Sequence, residues 1–328
     1  MTPPAPDAHG AAGRVRIFGG VLATDRSLPG LPDSRDSSDD RLTLRNLRTV
    51  DALSDTIAHS ADAELRGRME YASGVSISMA MRGGEIEVLV SDTGRFTLSS
   101  DGREIEHLAP RNVDRGAVAL DLIGVVLPMA LHRDGAWCVH ASAVESASGV
   151  IAFVAERGTG KSTLAAACVQ AGAALVADDV LVLRESENGI SVTPAGVPLR
   201  LRESTARAVG LASDDADDCG KVRVTGPRAH DSLPLDAIYV LQATGADSAL
   251  ARALRGTRAA ALALLANGKI TALLGTDPIG EALTRCVALA HRTTVYDLAV
   301  PRDLDRLGSV AHDVLRWHAL APTGGATG

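Results

Sequence analysis

Residues 150–183, "VIAFVAERGTGKSTLAAACVQAGAALVADDVLVL", decide the fold class. An apolar run, "GVIAFVA", leads into a glycine-rich loop. The run "KSTLAAACVQA" follows with helical character, Gly172 stands where a helix would stop in the left-handed conformation, and "ALVA" resumes an apolar run before Asp178 and Asp179. Strand, loop, helix, strand is the order of a βαβ unit, so this part of the chain is expected to be α/β. Residues 155–162 read A-E-R-G-T-G-K-S against the phosphate-loop pattern GxxxxGK[ST], with Ala155 in place of the first glycine.

Each position of the loop has its own physical task. Gly158 and Gly160 let the backbone turn its N–H groups inward, Lys161 reaches the terminal phosphates, and Ser162 offers a hydroxyl to Mg²⁺ at the positive end of a helix. Position 155 needs mainly a small residue at the strand end, which Ala155 provides if its φ is negative. Glu156 would repel phosphate if it pointed inward, so it is expected to point away or toward a metal or acceptor group. Arg157, Thr159 and Thr163 complete the expected nucleotide-binding stretch. Adjacent acids on an extended chain point opposite ways unless the strand ends between them, so one of Asp178 and Asp179 can serve a metal while the other meets a nucleophile.

Working outward, "WCVHASAV" before the loop reads as a strand, as do residues 236–243 and "TTVYDLAV", whereas residues 250–268 and "LDRLGSVAHDVLRWH" read as helices. The first half is β-rich. "VRIFGGVLATD" from Val15 alternates like a strand, further strands are expected at 75–81, 85–90 and 95–99, and "DRGAVALDLIGVVLPMAL" suggests a helix interrupted near its end by Pro128. The expected organisation is a disordered start (1–13), a β-rich α+β domain (14–135), an α/β domain (136–318) and a disordered tail (319–328). A chain of 328 residues suits two domains at ~150 residues each.

A net charge of −7 argues against nucleic acid, which demands clustered Lys and Arg. No apolar run reaches the ~20 residues a membrane crossing needs, and the start lacks the order of a secretory signal, so no membrane partner and a cytoplasmic location are expected. Cys138, Cys168, Cys219 and Cys286 are far apart and form no CxxC pair, which suggests neither zinc nor disulfides. "SDDADD" (213–218) lacks the glycine and terminal Glu of a calcium loop and reads as a solvated surface loop. Arg200 and Arg202 share a face by alternation and are candidates for phosphate or acceptor contacts, as is Lys221. Alone, His140 reads as a core or strand-end histidine; its distance from the loop makes it a candidate site residue.

"VHASAV", "ERGTGKST" and "LVADDVLVL" together resemble the HPr kinase/phosphorylase superfamily, and within it the smaller HPr-kinase-like enzymes associated with modified-peptide gene clusters, such as those for lasso peptides. His140 lies 21 residues before Lys161 and Asp179 lies 18 after it, a spacing similar to the family's. Weaker echoes are "FGGVLATDRSLPGLP", "PAGVPLRL", Lys221 in "GKVRV", and "LPLDAIYVL". The resemblance implies a P-loop kinase core of the HPr-kinase-like type that transfers the γ-phosphate of ATP to a Ser or Thr hydroxyl of a peptide or protein. It implies Lys161 on the phosphates, Ser162 and Asp178 on Mg²⁺, Asp179 as general base and His140 beside them. The family's Glu-Ile-Arg-Gly segment has no counterpart here; Glu203, in "LRES", lies at the corresponding distance as a candidate second metal ligand. A small-molecule kinase and a nucleotide-dependent switch are the alternatives, and a homo-oligomer is compatible with each.

Overall fold

A computed structural model of the chain describes residues 13–31, 44–53, 56–71, 73–187, 189–211, 213–216, 220–224, 226–274 and 279–319. The expected disordered ends lie outside these residues, apart from Gly13 and Ala319, as do Cys219 and most of the Pro-, Ser- and Asp-rich stretch after Asp25. The fold is mixed α/β with large sheets. Two compact units emerge, Met1–Asp134 with Ala272–Gly275, and Gly135–Thr271 with Thr276–Gly328.

The first unit is an eight-stranded sheet of β1 (Gly13–Ile17), β2 (Gly20–Thr24), β3 (Leu44–Asp51), β4 (Glu64–Glu70), β5 (Ser76–Arg82), β6 (Glu85–Val90), β7 (Gly94–Leu98) and β8 (Glu104–Ala109), in the order β1-β2-β3-β8-β7-β6-β5-β4. The "VRIFGGVLATD" stretch is not one strand but the hairpin β1–β2. Phe18 and Gly19 both have positive φ (51° and 69°), as a two-residue turn between right-twisted strands demands.

The helix after β8 does not stop at Pro128. It continues as α1 (Arg115–Asp121), a π-helical turn (Leu122–Val126) and α2 (Leu127–Arg133). Proline cannot donate to the carbonyl one turn back and its ring collides with it. The wider turn, in which the Leu127 N–H reaches the Leu122 carbonyl, takes up this mismatch without a break. By length and composition Arg115–Arg133 could cross a bilayer, but 61% of its apolar window is buried inside the protein, which makes it a core helix here.

In the second unit the named strands are β9 (Trp137–Val139), β10 (Ala141–Ser146), β11 (Gly149–Val154), β12 (Ala174–Ala177), β13 (Leu181–Ser186), β14 (Gly189–Thr193), β15 (Leu199–Arg202), β16 (Ser213–Ala216), β17 (Lys221–Val224), β18 (Leu233–Thr244), β19 (Ala251–Leu254) and β20 (Thr294–Pro301). Helices α3 (Lys161–Gln170), α4 (Glu203–Val209), α5 (Thr257–Ala266), α6 (Ile279–Arg292) and α7 (Leu307–Trp317) accompany them. "WCVHASAV" is thus two strands, broken at His140.

β10 pairs antiparallel with both β11 and β12. The strand–loop–helix–strand unit is therefore split: β11 and β12 run parallel, but β10 lies wedged between them. β18 pairs parallel with β11 and with β20. All six residues of β11 are buried, so both of its faces are covered and it reads as an unbroken apolar run. Helix α3 ends as expected at Gly172 (φ +103°), where the Ala173 N–H bonds the Cys168 carbonyl and the Gly172 N–H the Val169 carbonyl. Residues 251–254 form edge strand β19 and not the start of a helix, and the first four residues of "SDDADD" form β16, a strand pairing with β17 and not a loop.

Candidate phosphate and acceptor site

The loop between β11 and α3 explains Ala155. Its φ is not positive, so glycine is not required, and its methyl is buried in the core cluster with Leu164, Ala165 and Phe153. Gly158 (φ +86°) and Gly160 (φ +111°) are where side chains would strain the backbone. Glu156, Arg157 and Gly158 are exposed, and Thr159 and Thr163 half-buried. Gly160 is the N-cap of α3 and has no side chain to accept from the first-turn amides, which leaves the positive end of that helix for an anion. Lys161 is buried, with Nζ donating to the carbonyls of Ala155 (2.8 Å) and Glu156 (3.2 Å). Burial depresses the basicity of its ammonium; Asp179 and Asp178 oppose that effect, whereas Lys269 and Lys221 add to it.

Asp178 is buried and hydrogen-bonded through both oxygens. Its Oδ1 accepts from the hydroxyls of Ser142 (2.7 Å) and Ser162 (2.8 Å), and its Oδ2 from the Arg200 N–H (3.2 Å). Strand β12 ends before both acids, so strand alternation does not set their directions. Asp179 instead has φ +71°, a conformation that Asp adopts more readily than most residues, and this turn aims its carboxylate elsewhere. Oδ1 lies 3.0 Å from His140 Nδ1 and Oδ2 lies 2.6 Å from Lys269 Nζ. Burial alone would raise the pKa of Asp179, but Lys269 and His140 outweigh it and hold the carboxyl well below the usual range. The Asp179 side chain is nevertheless 49% exposed.

The turn after α5 delivers that lysine. The His140 N–H bonds the Asn267 carbonyl (2.7 Å), the Lys269 N–H bonds the Cys138 carbonyl (2.8 Å), and Val139 bridges Gly268, so the turn is stitched to the β9–His140 segment. Ser142 and Lys269 are the site residues that sequence reasoning overlooks. Ser142 had a signal as the lone polar residue in the buried run Ala141–Val144. Lys269, 90 residues from Asp179, had none.

The structure thus brings Lys161, Ser162, Asp178, Asp179 and His140 together. Arg200 joins through its backbone, and Lys221 is close enough to weigh on Lys161. Glu203 is not joined to them: it is exposed in the first turn of α4, with its carboxylate on Arg207 (2.7 Å). Arg202 is exposed at the end of β15. Among the described residues, no three His, Cys, Asp or Glu gather as a metal site. The Ser162 hydroxyl and Asp178 carboxylate still fit Mg²⁺, which takes one or two carboxylate-type oxygens and completes its octahedron with phosphates and water.

No protein-family model and no curated protein matches the chain. Among solved structures, the chain is similar to the Hpr(Ser) kinase/phosphatase from Coxiella burnetii, at 13% identity over 55% of this chain and 95% of that one, with a TM-score of 0.29. This is a remote likeness of fold.

Proposed function

We propose that this protein is an ATP-dependent kinase that phosphorylates a Ser or Thr hydroxyl of a peptide or protein, on a P-loop core of the HPr-kinase-like type. The observation that carries the reading is the Ser162 hydroxyl held on the buried Asp178 at the head of α3, with an ionised, half-exposed Asp179 turned into the neighbouring position. The kinase core rests on that geometry and the loop sequence; the peptide nature of the acceptor rests on the family resemblance.

Phosphoryl transfer asks for positioning and charge neutralisation more than covalent chemistry. Ser162 and Asp178 would hold Mg²⁺, which when bound neutralises charge across the β- and γ-phosphates. The α3 amides and Lys161, released from the Ala155 and Glu156 carbonyls, would take the phosphate oxygens. Asp179 would accept the hydrogen of the incoming hydroxyl. As the new O–P bond forms and the bond to the ADP leaving oxygen breaks, that proton passes to Asp179. In a loose transition state the hydroxyl needs orientation more than early deprotonation, so a weakly basic carboxylate that stays ionised suits the task.

Labelled ATP with candidate Ser-containing precursor peptides tests the reading. Label should appear in peptide with the wild-type protein and vanish with Lys161→Ala, through the loss of phosphate stabilisation. Label in a small metabolite instead would favour the small-molecule kinase, and nucleotide binding with no transfer at all would favour a switch.

A further inference from the structure

The strand before Asp178 does not run straight into it. β12 pairs antiparallel with β10, but Val144 faces Leu175 while Ala143 faces Ala177, so Val176 is the extra residue of a bulge. The Ala195 N–H takes up the Val176 carbonyl (2.9 Å) and fixes the bulge in place. Without it the register would continue with Ala177 opposite Ser142. The extra residue instead carries Asp178 up to Ser142, and the two side chains meet at 2.7 Å.

Ser142 has no exposed surface and sits between Ala141 and Ala143, which have none either. A hydroxyl in such a place costs stability unless it is hydrogen-bonded. Its hydrogen goes to Asp178 Oδ1, the same oxygen that the Ser162 hydroxyl reaches at 2.8 Å, and the two hydroxyl oxygens stand 3.4 Å apart. Of the donors to Asp178, Ser162 is itself a candidate metal ligand and Arg200 acts through its backbone N–H. Ser142 has neither task. What its hydroxyl does is fix how the carboxylate is turned about its own side-chain bonds, with the Ser162 hydrogen on Oδ1 and the Ser162 lone pairs left over.

We propose that Ser142 is a positioning residue for the metal: it holds the Asp178 carboxylate against the Ser162 hydroxyl in the arrangement that receives Mg²⁺. The proposal rests on the kinase reading above, in which Ser162 and Asp178 hold that ion. Groups that hydrogen-bond a metal-holding carboxylate set its orientation, and losing one weakens metal affinity by about 10–100-fold. Mg²⁺ is strict about geometry, so a carboxylate free to turn is a poorer partner for it than one already set. Nucleotide phosphates without metal draw on the α3 amides and Lys161 instead.

The test uses the full chain with fluorescent ADP, titrated with Mg²⁺ and, in a separate series, bound in EDTA with no metal. In the wild type Mg²⁺ should tighten ADP. Ser142→Ala should raise the Mg²⁺ concentration at half-effect by about tenfold or more, while ADP affinity in EDTA stays within about twofold, which also reports a folded site. Mn²⁺ binding in the presence of ADP, read by electron paramagnetic resonance, should weaken in step. Ser142→Cys keeps nearly the shape of serine but is a weak donor, so it should behave like Ser142→Ala; a role in packing alone would leave it like the wild type. The cysteine variant also decides the matter should the alanine variant not fold. An unchanged metal midpoint, an equal loss of ADP affinity with and without metal, or a cysteine variant that matches the wild type would each overturn the proposal. A wild-type ADP affinity indifferent to Mg²⁺ would sink the metal assignment itself, a different result from a metal-responsive wild type with indifferent variants.

Discussion

Two carboxylates, one in each unit, are ringed by cationic and hydrogen-bonding partners, and they lead to different conclusions. Glu87 on β6 has no exposed surface. It accepts from the Ser60 N–H (2.8 Å) and hydroxyl, faces His59 Nδ1 (3.3 Å), and lies 3.7 Å from Arg82 and 4.0 Å from Arg95. Burial pushes its pKa up, but the Ser60 bonds, Arg95 and His59 more than reverse that. Asp179 also has cationic partners, one lysine and one histidine, which likewise lower its pKa, yet half of its side chain meets solvent. A closed ring pins a loop to a sheet; an open ring leaves an ionised oxygen for a ligand. Cationic partners lower the pKa of both, and access separates them.

The comparison can be broken in order of expected effect. Asp179→Asn should lower the transfer rate by about 10²–10⁴-fold with nucleotide affinity retained, as read by single-turnover labelling; near-normal turnover would make Asp179 another Glu87. Glu87→Gln should do the reverse, costing about 2–3 kcal/mol in denaturant unfolding by leaving partly buried cations unmatched, with nucleotide binding by the folded protein preserved. Lys269→Met should lower the rate about tenfold by loosening Asp179, and in an Asp179→Asn background it should cost little more, since the two act as a unit.

The smallest effect concerns Asp121, which donates no proton in the proposed chemistry. Burial pushes its carboxyl up to about 6, against the Thr93 hydroxyl bond that favours ionisation. The native state therefore holds this proton more tightly than the unfolded chain, so its contribution to stability falls as pH rises from about 4 to 6. Asp121→Asn should stabilise the protein at pH 7 by on the order of 1 kcal/mol, and the gap should close below pH 4 in urea titrations. A gap that widens on acidification would show the sign to be wrong.

Much of the second unit's local structure was legible because it is local. Strand β11, the glycine turns, α3 and its stop at Gly172 lie in one stretch whose periodicity and punctuation speak for themselves. The rest depends on register and distance. Nothing near "VHASAV" says that β10 inserts between β11 and β12, and nothing near "LRLR" says that "KVRV" will lie opposite it in cationic register. Helix α6 and strands β3, β4, β8, β13 and β14 carry no local pattern strong enough to announce them, and Pro128 does not break its helix because the compensating π-turn is a property of the whole helix. At the site, types and spacing pointed to Lys161, Ser162, Asp178, Asp179 and His140, but Lys269 arrives from another element and only three-dimensional folding could reveal it. Distance along the chain is the only signal for Glu203, and it is a poor guide: the carboxylate pairs with Arg207 on an exposed helix turn.

The wedge of β10 between β11 and β12 limits how the molecule can be cut. A fragment beginning at Gly149 would retain the first strand, the glycine turns and the helix, yet it would strip the strand before Asp178 of its neighbour and remove the Ser142 hydroxyl from that acid. Any excised piece that keeps Ser142 on Asp178 therefore has to open no later than Ala141, upstream of every residue in the loop pattern itself.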